Sequence, residues 1–163
     1  MNIIQPKLIV SYVAIAIALI FAFLIWNNHI LAGTRPTNLG IHAGKLATCP
    51  ATPNCVNSQI PTSDTEHAIA PIQFGGKASA TMENLKFVLK NMPRTKIVTE
   101  GSNNYIYAEV TSKLMGFVDD VEFYLDDSSK TIQVRSASRL GESDWGANRQ
   151  RVEEIRQQLQ GLN

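Results

Sequence analysis

Hydrophobic and polar residues form three kinds of pattern along the chain. The first is a long, uncharged and mostly apolar run. Residues 8–26 read LIVSYVAIAIALIFAFLIW and hold no charged residue. As a helix this run would be about 28 Å long at about 1.5 Å per residue, close to the hydrocarbon thickness of a bilayer. It is longer than the core of a signal peptide and has a poor cleavage context after it. It predicts a retained transmembrane anchor, with a cleaved signal peptide as the alternative.

The second pattern has helical periodicity and occurs twice. Ser79 or Thr81 can cap a first helix that Pro93 ends, and a second helix is predicted over residues 144–160. Apolar residues recur in both at the spacing expected for a helix with one face on a core. The stripes are Leu85, Val88, Leu89 and Met92 in the first helix, and Trp145, Val152, Ile155, Leu159 and Leu162 in the second.

The third pattern is an alternation of apolar and polar residues, which predicts four strands joined by short turns. A further extended stretch over 67–74 contains Pro71, which favours an edge strand. A helix, a four-stranded meander and a helix predict the α+β class. We expect a two-layer domain with a four-stranded antiparallel sheet and two helices on one face. The strands are predicted over 95–100, 104–112, 117–126 and 131–138.

These patterns divide the chain into an anchor and an exported domain. Lys7 precedes the apolar run and Arg35 follows it, so the positive-inside rule puts the short N-terminus in the cytoplasm by a small margin. We expect a single-pass inner (cytoplasmic) membrane protein with its C-terminal domain on the periplasmic, or extracytoplasmic, side. The divisions are 1–7 as cytoplasmic N-terminus, 8–26 as anchor, 27–48 as a Gly- and Pro-containing tether and 49–163 as the exported α+β domain.

Both cysteines of the chain, Cys49 and Cys55, lie in the segment CPATPNC. A close pair in an oxidising compartment most often forms a disulfide; free or redox-active thiols and a metal site are the alternatives. Two cysteines supply half of a zinc site, and the sequence offers no matching CxxC or HxxxH pattern. We therefore expect a disulfide, no metal and no cofactor.

The charge balance bears on the partners. Residues 41–163 hold 13 basic and 14 acidic residues, and 13 − 14 gives a net charge of −1. No basic field is present to hold nucleic acid, and no polybasic run to hold anionic lipid. The expected partners are the inner membrane, through residues 8–26, and an envelope protein, with no nucleic acid.

Strand parity predicts a polar network inside the core. Four-residue turns place Phe123 opposite Val134 and Asp119 opposite Ser138 on the apolar face of the sheet. The last predicted helix begins soon after residue 138, where the fourth predicted strand ends. It therefore brings more polar side chains to that end of the sheet. A carboxylate on a core face is tolerated only when it is paired and hydrogen-bonded. We expect a buried or half-buried network of Asp119, Ser138, Asn148 and Arg149.

The opposite face of the same sheet is the candidate ligand or partner face. Glu122 is predicted opposite Arg135, a favourable cross-strand pair. Glu109 is predicted opposite Asp120, an unfavourable pair unless Arg139 bridges the two carboxylates. The face is expected to be an open site, a solvated surface or a surface roofed by residues 49–74. Its members are Tyr105, Tyr107, Glu109, Asp120, Glu122, Arg135 and Arg139.

Three blocks of this chain resemble the bacterial and plastid family catalogued as domain of unknown function 1499. The blocks are CPATPNCVNSQ, GFVDDVEF and RSASRLGESDWGANRQRVE, in that order, and the resemblance covers residues 48–160. It implies that the paired cysteines, the two strands and the last helix form one unit. The family has no established activity, so the resemblance implies no catalytic role.

The residues themselves disfavour most catalytic chemistry. No histidine follows His67, so a nucleophile in the later strands would have no imidazole base from that region. Asp119 and Asp120 point to opposite faces of one strand, which prevents a dyad or a calcium site with Glu122. We expect a membrane-anchored periplasmic (envelope) domain, more an interaction or assembly module than an enzyme. The alternative is a small polar or anionic ligand-binding or hydrolytic domain that uses the Tyr/Glu/Arg face.

Overall fold

The computed structural model describes residues 6–27, 31–101 and 104–162. Within these residues the chain forms three helices and one six-stranded antiparallel sheet. This is the expected α+β class. The elements are α1 (Pro6–Asn27), β1 (Cys55–Asn57), β2 (Ile72–Gln73), α2 (Ala78–Asn91), β3 (Thr95–Gly101), β4 (Tyr105–Thr111), β5 (Val118–Asp126), β6 (Thr131–Ser138) and α3 (Ala147–Gln160).

The sheet contains the predicted meander and two further strands. The strand order is β1-β6-β5-β4-β3, and β2 also pairs with β6. The predicted register is confirmed, with Asp119 opposite Ser138 and Phe123 opposite Val134. The expected number of four strands is wrong, because β1 and β2 of the preceding segment add to β6. These strands have three and two residues, too few to show an alternating pattern.

Helices α2 and α3 pack against one face of the sheet. Their buried apolar residues join a single core with the inward side chains of the strands. Phe123 and Val121, at the centre of that face, are 0 % exposed. The helical contribution comes from Met82, Leu85, Val88 and Leu89 of α2 and from Val152, Ile155 and Leu159 of α3.

Helix α3 begins three residues later than predicted. Asp144 accepts hydrogen bonds from the backbone N–H groups of Gly146, at 2.9 Å, and Asn148, at 2.7 Å. The turn that this carboxylate holds gives Trp145 a positive φ of 51° and leaves it 97 % exposed. Trp145 therefore does not belong to the buried stripe. Leu162, beyond the other end of α3, is also exposed.

The described part of α1 bears on the predicted anchor. Over the residues that the structure describes, no helix is both long enough and apolar enough to cross a membrane. α1 has 22 residues, and its side chains are described over 8–23. Residues 24–26 of the predicted span fall beyond that range, and residues 1–5 of the predicted cytoplasmic N-terminus lie outside the described residues.

The predicted tether packs on the sheet. Its residues 31–48 are described, and Leu46 is 4 % exposed. The segment contacts the face that α2 and α3 leave uncovered, where Gly40 and Arg35 bond to strand carboxylates. Cys49 and Cys55 form the predicted disulfide, with an S–S distance of 2.04 Å, which ties the end of this segment to β1. The sheet thus has helices on one face and an irregular segment on the other.

Candidate functional site

The predicted Tyr/Glu/Arg face lies on the side of the sheet opposite the helices. Alternate residues of a strand share a face, so β4, β5 and β6 each present polar side chains to it. Glu109 lies opposite Asp120, and Glu122 lies opposite Arg135. We call this group, together with Tyr105, Tyr107 and Arg139, the polar face.

Arg139 bridges the two carboxylates that the register sets against each other. Its Nη2 donates to Asp120 Oδ1 at 2.6 Å and to Glu109 Oε1 at 2.5 Å. Its Nε donates to Asp120 Oδ2 at 3.0 Å. The Arg139 side chain is 6 % exposed. A bidentate guanidinium at this position removes the repulsion expected between two neighbouring carboxylates.

Glu109 also binds a residue of the predicted tether. Arg35 Nη2 donates to Glu109 Oε1 at 2.6 Å, and its guanidinium lies 5.5 Å from the centre of the Tyr107 ring. Burial acts to raise the pKa of Glu109, but hydrogen bonds from Arg139, Arg35 and Tyr107 outweigh it and hold that pKa at about 2. Glu109 is therefore ionised at neutral pH and serves as an acceptor.

Glu122 is the most deeply buried carboxylate of the polar face, at 0 % exposure. It accepts hydrogen bonds from the Tyr105 hydroxyl at 2.8 Å and from the Gly40 N–H at 2.7 Å. Arg135 Nη1 approaches its other oxygen at 3.4 Å. Burial is the main cause that raises the pKa of Tyr105 and of Tyr107. Both phenols therefore remain protonated donors.

Residues 33–46 cover the polar face. Gly33 lies so close to it that an added Cβ would come within 2.8 Å of Arg139 Cβ. Beneath this cover Asp120 is 1 % and Tyr107 4 % exposed. Residues 49–74, which were one alternative for a roof, instead contribute β1 and β2, and these extend the sheet edge beside β6. The polar face is thus a closed layer whose carboxylates are all hydrogen-bonded, while Arg135 Nε has no hydrogen-bond partner among the described residues.

A second polar network lies on the helix-facing side. Asn148 is 0 % exposed, and its Oδ1 accepts from Ser136 Oγ at 2.5 Å and from Arg151 Nη1 at 2.6 Å. Its Nδ2 donates to Ser138 Oγ at 3.1 Å and to the Asn54 carbonyl at 3.0 Å. The structure therefore brings together Ser138 and Asn148 and adds Ser136, which lies two residues before Ser138 on the same face of β6.

The cation of this network is Arg151, and the expectation of Arg149 is wrong. Arg151 Nη2 lies 2.5 Å from Asp119 Oδ2. Arg149 instead donates to the backbone carbonyls of Glu66 and Ala68, each at 2.9 Å. Residues three apart share a helix face, whereas neighbours do not. The spacing of three from Asn148 to Arg151 was the signal that could have identified the correct partner.

An open groove beside the disulfide was not foreseen. It has a volume of about 580 Å³ and is lined in part by Cys49, Asp64 and His67. His67 Nδ1 lies 2.9 Å from Asp64 Oδ2, and its Nε2 lies 3.2 Å from the Thr52 carbonyl. The Asp64 hydrogen bond raises the pKa of His67. Both ring nitrogens are thus engaged within the protein, which leaves neither directed at a substrate.

The described residues contain no group of three or more His, Cys, Asp or Glu side chains arranged to hold a metal ion. A carboxylate of the polar face could contribute to such a site only by giving up its arginine. The positively charged arginines and the carboxylates there already compensate one another. The arrangement can hold residues 33–46 against β4, β5 and β6.

Comparisons with known proteins identify a family for this chain but no individual similar protein. Neither the curated proteins nor the solved structures include a significant match to this chain. A family model described as "Protein of unknown function (DUF1499)" matches residues 45–159, well over half of the chain. The match includes the disulfide, the four-stranded meander and the Asn148 network, as the sequence resemblance implied. The chain therefore belongs to the family of unknown function DUF1499.

Proposed function

We propose that this protein is a membrane-anchored domain of the periplasm, or envelope, that binds or assembles other envelope proteins without catalysing a reaction. The observation that carries this proposal is the closed polar face. The polar face, which carries carboxylates, arginines and tyrosines, is covered by the protein's own residues 33–46. Beneath this segment Asp120 is 1 % exposed and Glu122 is 0 % exposed. The polar residues there support the fold.

The same observation weakens the alternative of a ligand-binding or hydrolytic polar face. A general acid or base must come within hydrogen-bonding distance of its substrate. Asp120 instead receives Arg139 and the Tyr107 hydroxyl, the latter at 2.6 Å. Glu122 receives Tyr105, Gly40 and Arg135. A substrate could reach either carboxylate only after the covering segment had left.

The proposal of a membrane anchor is supported by the exposure and composition of α1. Residues 8–26 contain no charge, and large apolar side chains along the described helix are about half to two-thirds exposed, from Leu8 at 48 % to Val10 at 68 %. Exposed apolar area costs about 25 cal/mol per Å² in water, and a bilayer removes that cost. A disulfide is also typical of proteins outside the cytoplasm. The proposed topology has the N-terminus in the cytoplasm and residues 27–163 outside.

Fractionation of cells that express the full chain tests the anchor and its orientation. We expect the protein to stay in the membrane pellet after alkaline carbonate extraction. We expect external protease to digest its domain once the outer membrane is opened. The matched control carries Ile15→Arg and Leu19→Arg, because a central arginine opposes insertion by about 2.5–3.5 kcal/mol. Extraction of the unmodified protein by carbonate, or protection of its domain from protease, would contradict the proposal.

Photo-crosslinking in the membrane tests the interaction role. A crosslinking amino acid at exposed Phe87 or at exposed Lys90 should give discrete adducts heavier than the protein alone. The same group at buried Tyr107 is the control and should give none. An absence of adducts across the exposed positions of α2, α3 and the turns would argue against an interaction module.

A further inference from the structure

Four large apolar side chains are exposed at one end of the domain. Leu114 is 79 %, Met115 40 %, Leu140 41 % and Trp145 97 % exposed. Apart from α1, the described residues include only two other exposed large hydrophobics, Phe87 and Leu162. Scattered exposed apolar residues are ordinary, whereas a group of them marks a contact surface.

The strand pairing brings Leu140 beside the turn that carries Leu114 and Met115. That turn joins β4 to β5, whose last pair is Thr111 and Val118. The backbone N–H of Arg139 donates to the Val118 carbonyl at 3.1 Å. Leu140 therefore leaves the sheet directly beside the β4–β5 turn.

The direction of α3 brings Trp145 to the same end. Asn148, in the first turn of α3, bonds to Ser138 at the end of β6. Arg156, near the other end of α3, donates to the Pro71 carbonyl at 2.7 Å, next to β2, which pairs with the start of β6. Helix α3 thus runs antiparallel to β6. Trp145 precedes α3 and lies at the end of the sheet where β6 finishes.

The chain that arrives from α1 enters the domain at this end. An added Cβ on Gly33 would lie 2.8 Å from Arg139 Cβ and 3.0 Å from Leu140 Cγ. Gly33 is six residues after Asn27, the last residue of α1. Six residues span at most about 21 Å when fully extended. The four exposed apolar side chains are therefore held close to the end of the proposed anchor.

We propose that this end of the domain rests on the lipid bilayer and that Trp145, Leu114, Met115 and Leu140 enter its interface. The inference rests on the proposed membrane anchor. Tryptophan is enriched at the membrane–water interface, where its ring is partly apolar and its N–H remains hydrated. The exposed charged residues nearby include Lys113 and Glu142, of opposite sign. The contact is therefore apolar and does not require anionic lipid.

Tryptophan fluorescence of the full chain in phosphatidylcholine vesicles tests this contact. The chain has two tryptophans, so Trp26→Phe leaves Trp145 as the only reporter. We expect Trp145 emission to shift to shorter wavelength on reconstitution. We also expect lipids brominated near the headgroup to quench it and aqueous acrylamide to lose access to it. High salt should leave this pattern unchanged.

A displaced reporter and the other tryptophan provide the controls. In a Trp26→Phe, Trp145→Phe background, Asp127→Trp places an exposed indole in the β5–β6 turn at the far end of the sheet, which brominated lipid should not quench. Trp145→Phe alone leaves Trp26 as the reporter of the anchor. Quenching of Trp26 without quenching of Trp145 would overturn this inference and leave the anchor intact. Absence of quenching at both Trp26 and Trp145 would overturn the proposed anchor as well.

If a protein covered Trp145 in place of lipid, the fluorescence result would differ. Shielding of Trp145 from acrylamide without quenching by brominated lipid would show that a second copy or another protein covers this end. Shielding that increases with the protein-to-lipid ratio would identify the second copy. Either result would overturn the lipid contact.

Discussion

The backbone N–H of Gly40 donates a 2.7 Å hydrogen bond to the carboxylate of Glu122, although the two residues are 82 positions apart in the chain. Glu122 is 0 % exposed, so this N–H replaces a hydrogen bond that water would otherwise make. Gly40 has a φ of 108°, a conformation that glycine adopts without the steric cost of a side chain. The bond makes the segment before the cysteines part of the domain.

Replacement of Glu122 tests whether the polar face is structural. Glu122→Gln removes the negative charge that Arg135 faces in the interior, and a buried charge without its partner is costly. We expect the free energy of unfolding of the full chain in detergent, measured by urea denaturation, to fall by about 3–5 kcal/mol. Glu142→Gln, at an exposed position, is the control and should change it by less than about 0.5 kcal/mol. Equal effects of the two changes would show that the face is open to water.

The low pKa of Glu109 predicts an acid-sensitive fold. Its pKa is about 2 in the folded protein, against a reference value of 4.5. A carboxyl with a depressed folded pKa stabilises the fold fully above the unfolded value and loses that contribution as the pH falls towards the folded value. The unmodified protein should therefore lose about 2–3 kcal/mol more stability than Glu109→Gln between pH 5 and pH 2. Parallel stability curves for the two proteins over that range would contradict the pairing of Glu109 with Arg139 and Arg35.

Arg149 and Arg151, which are two residues apart in α3, should differ in their effect on stability. Arg151→Ala leaves Asp119 without its ion-pair partner on the core face, and we expect a loss of about 3–5 kcal/mol in the free energy of unfolding. Asp119→Ala should cost more than about 2 kcal/mol for the same reason. A double-mutant cycle should give a coupling energy between them above about 0.5 kcal/mol. Arg149→Ala, whose side chain binds loop carbonyls, should show no such coupling with Asp119→Ala.

The disulfide should stabilise the domain modestly. Cys49 and Cys55 are six residues apart, and closing so short a loop contributes roughly 2.4 kcal/mol through the unfolded chain. Thermal unfolding of the Cys49→Ser, Cys55→Ser double variant should show a lower Tm than that of the oxidised protein. Dithiothreitol should lower the Tm of the unmodified protein and leave the variant unchanged. A variant as stable as the oxidised protein would show that Pro50 and Pro53 already restrict the loop.

The sheet could be predicted because its pattern is regular. Alternation along β4, β5 and β6 and the four-residue turns fix which residues face each other, down to Glu122 opposite Arg135. The same register sets Glu109 against Asp120 and so requires a bridging cation, which Arg139 supplies. Local pattern and long-range contact agree here because each pair lies in adjacent strands.

Other features depend on contacts that leave no periodic trace. The cover of the polar face uses a backbone N–H at Gly40 and a single side chain at Arg35, and neither repeats along the sequence. Strands β1 and β2 are too short to alternate. The start of α3 depends on the side chain of Asp144, which turns Trp145 outward although its spacing fits the apolar stripe.

Hydrogen exchange at the Gly40 amide, followed by NMR on the full chain in detergent, tests the closed polar face most directly. The bond to a fully buried carboxylate predicts that this amide exchanges far more slowly than an unstructured one. The exposed Gly76 amide provides the comparison within the same sample. Slow exchange at Gly40 and fast exchange at Gly76 is the predicted result. Exchange of Gly40 as fast as that of Gly76 would mean that residues 33–46 leave the sheet and that the polar face is an open site.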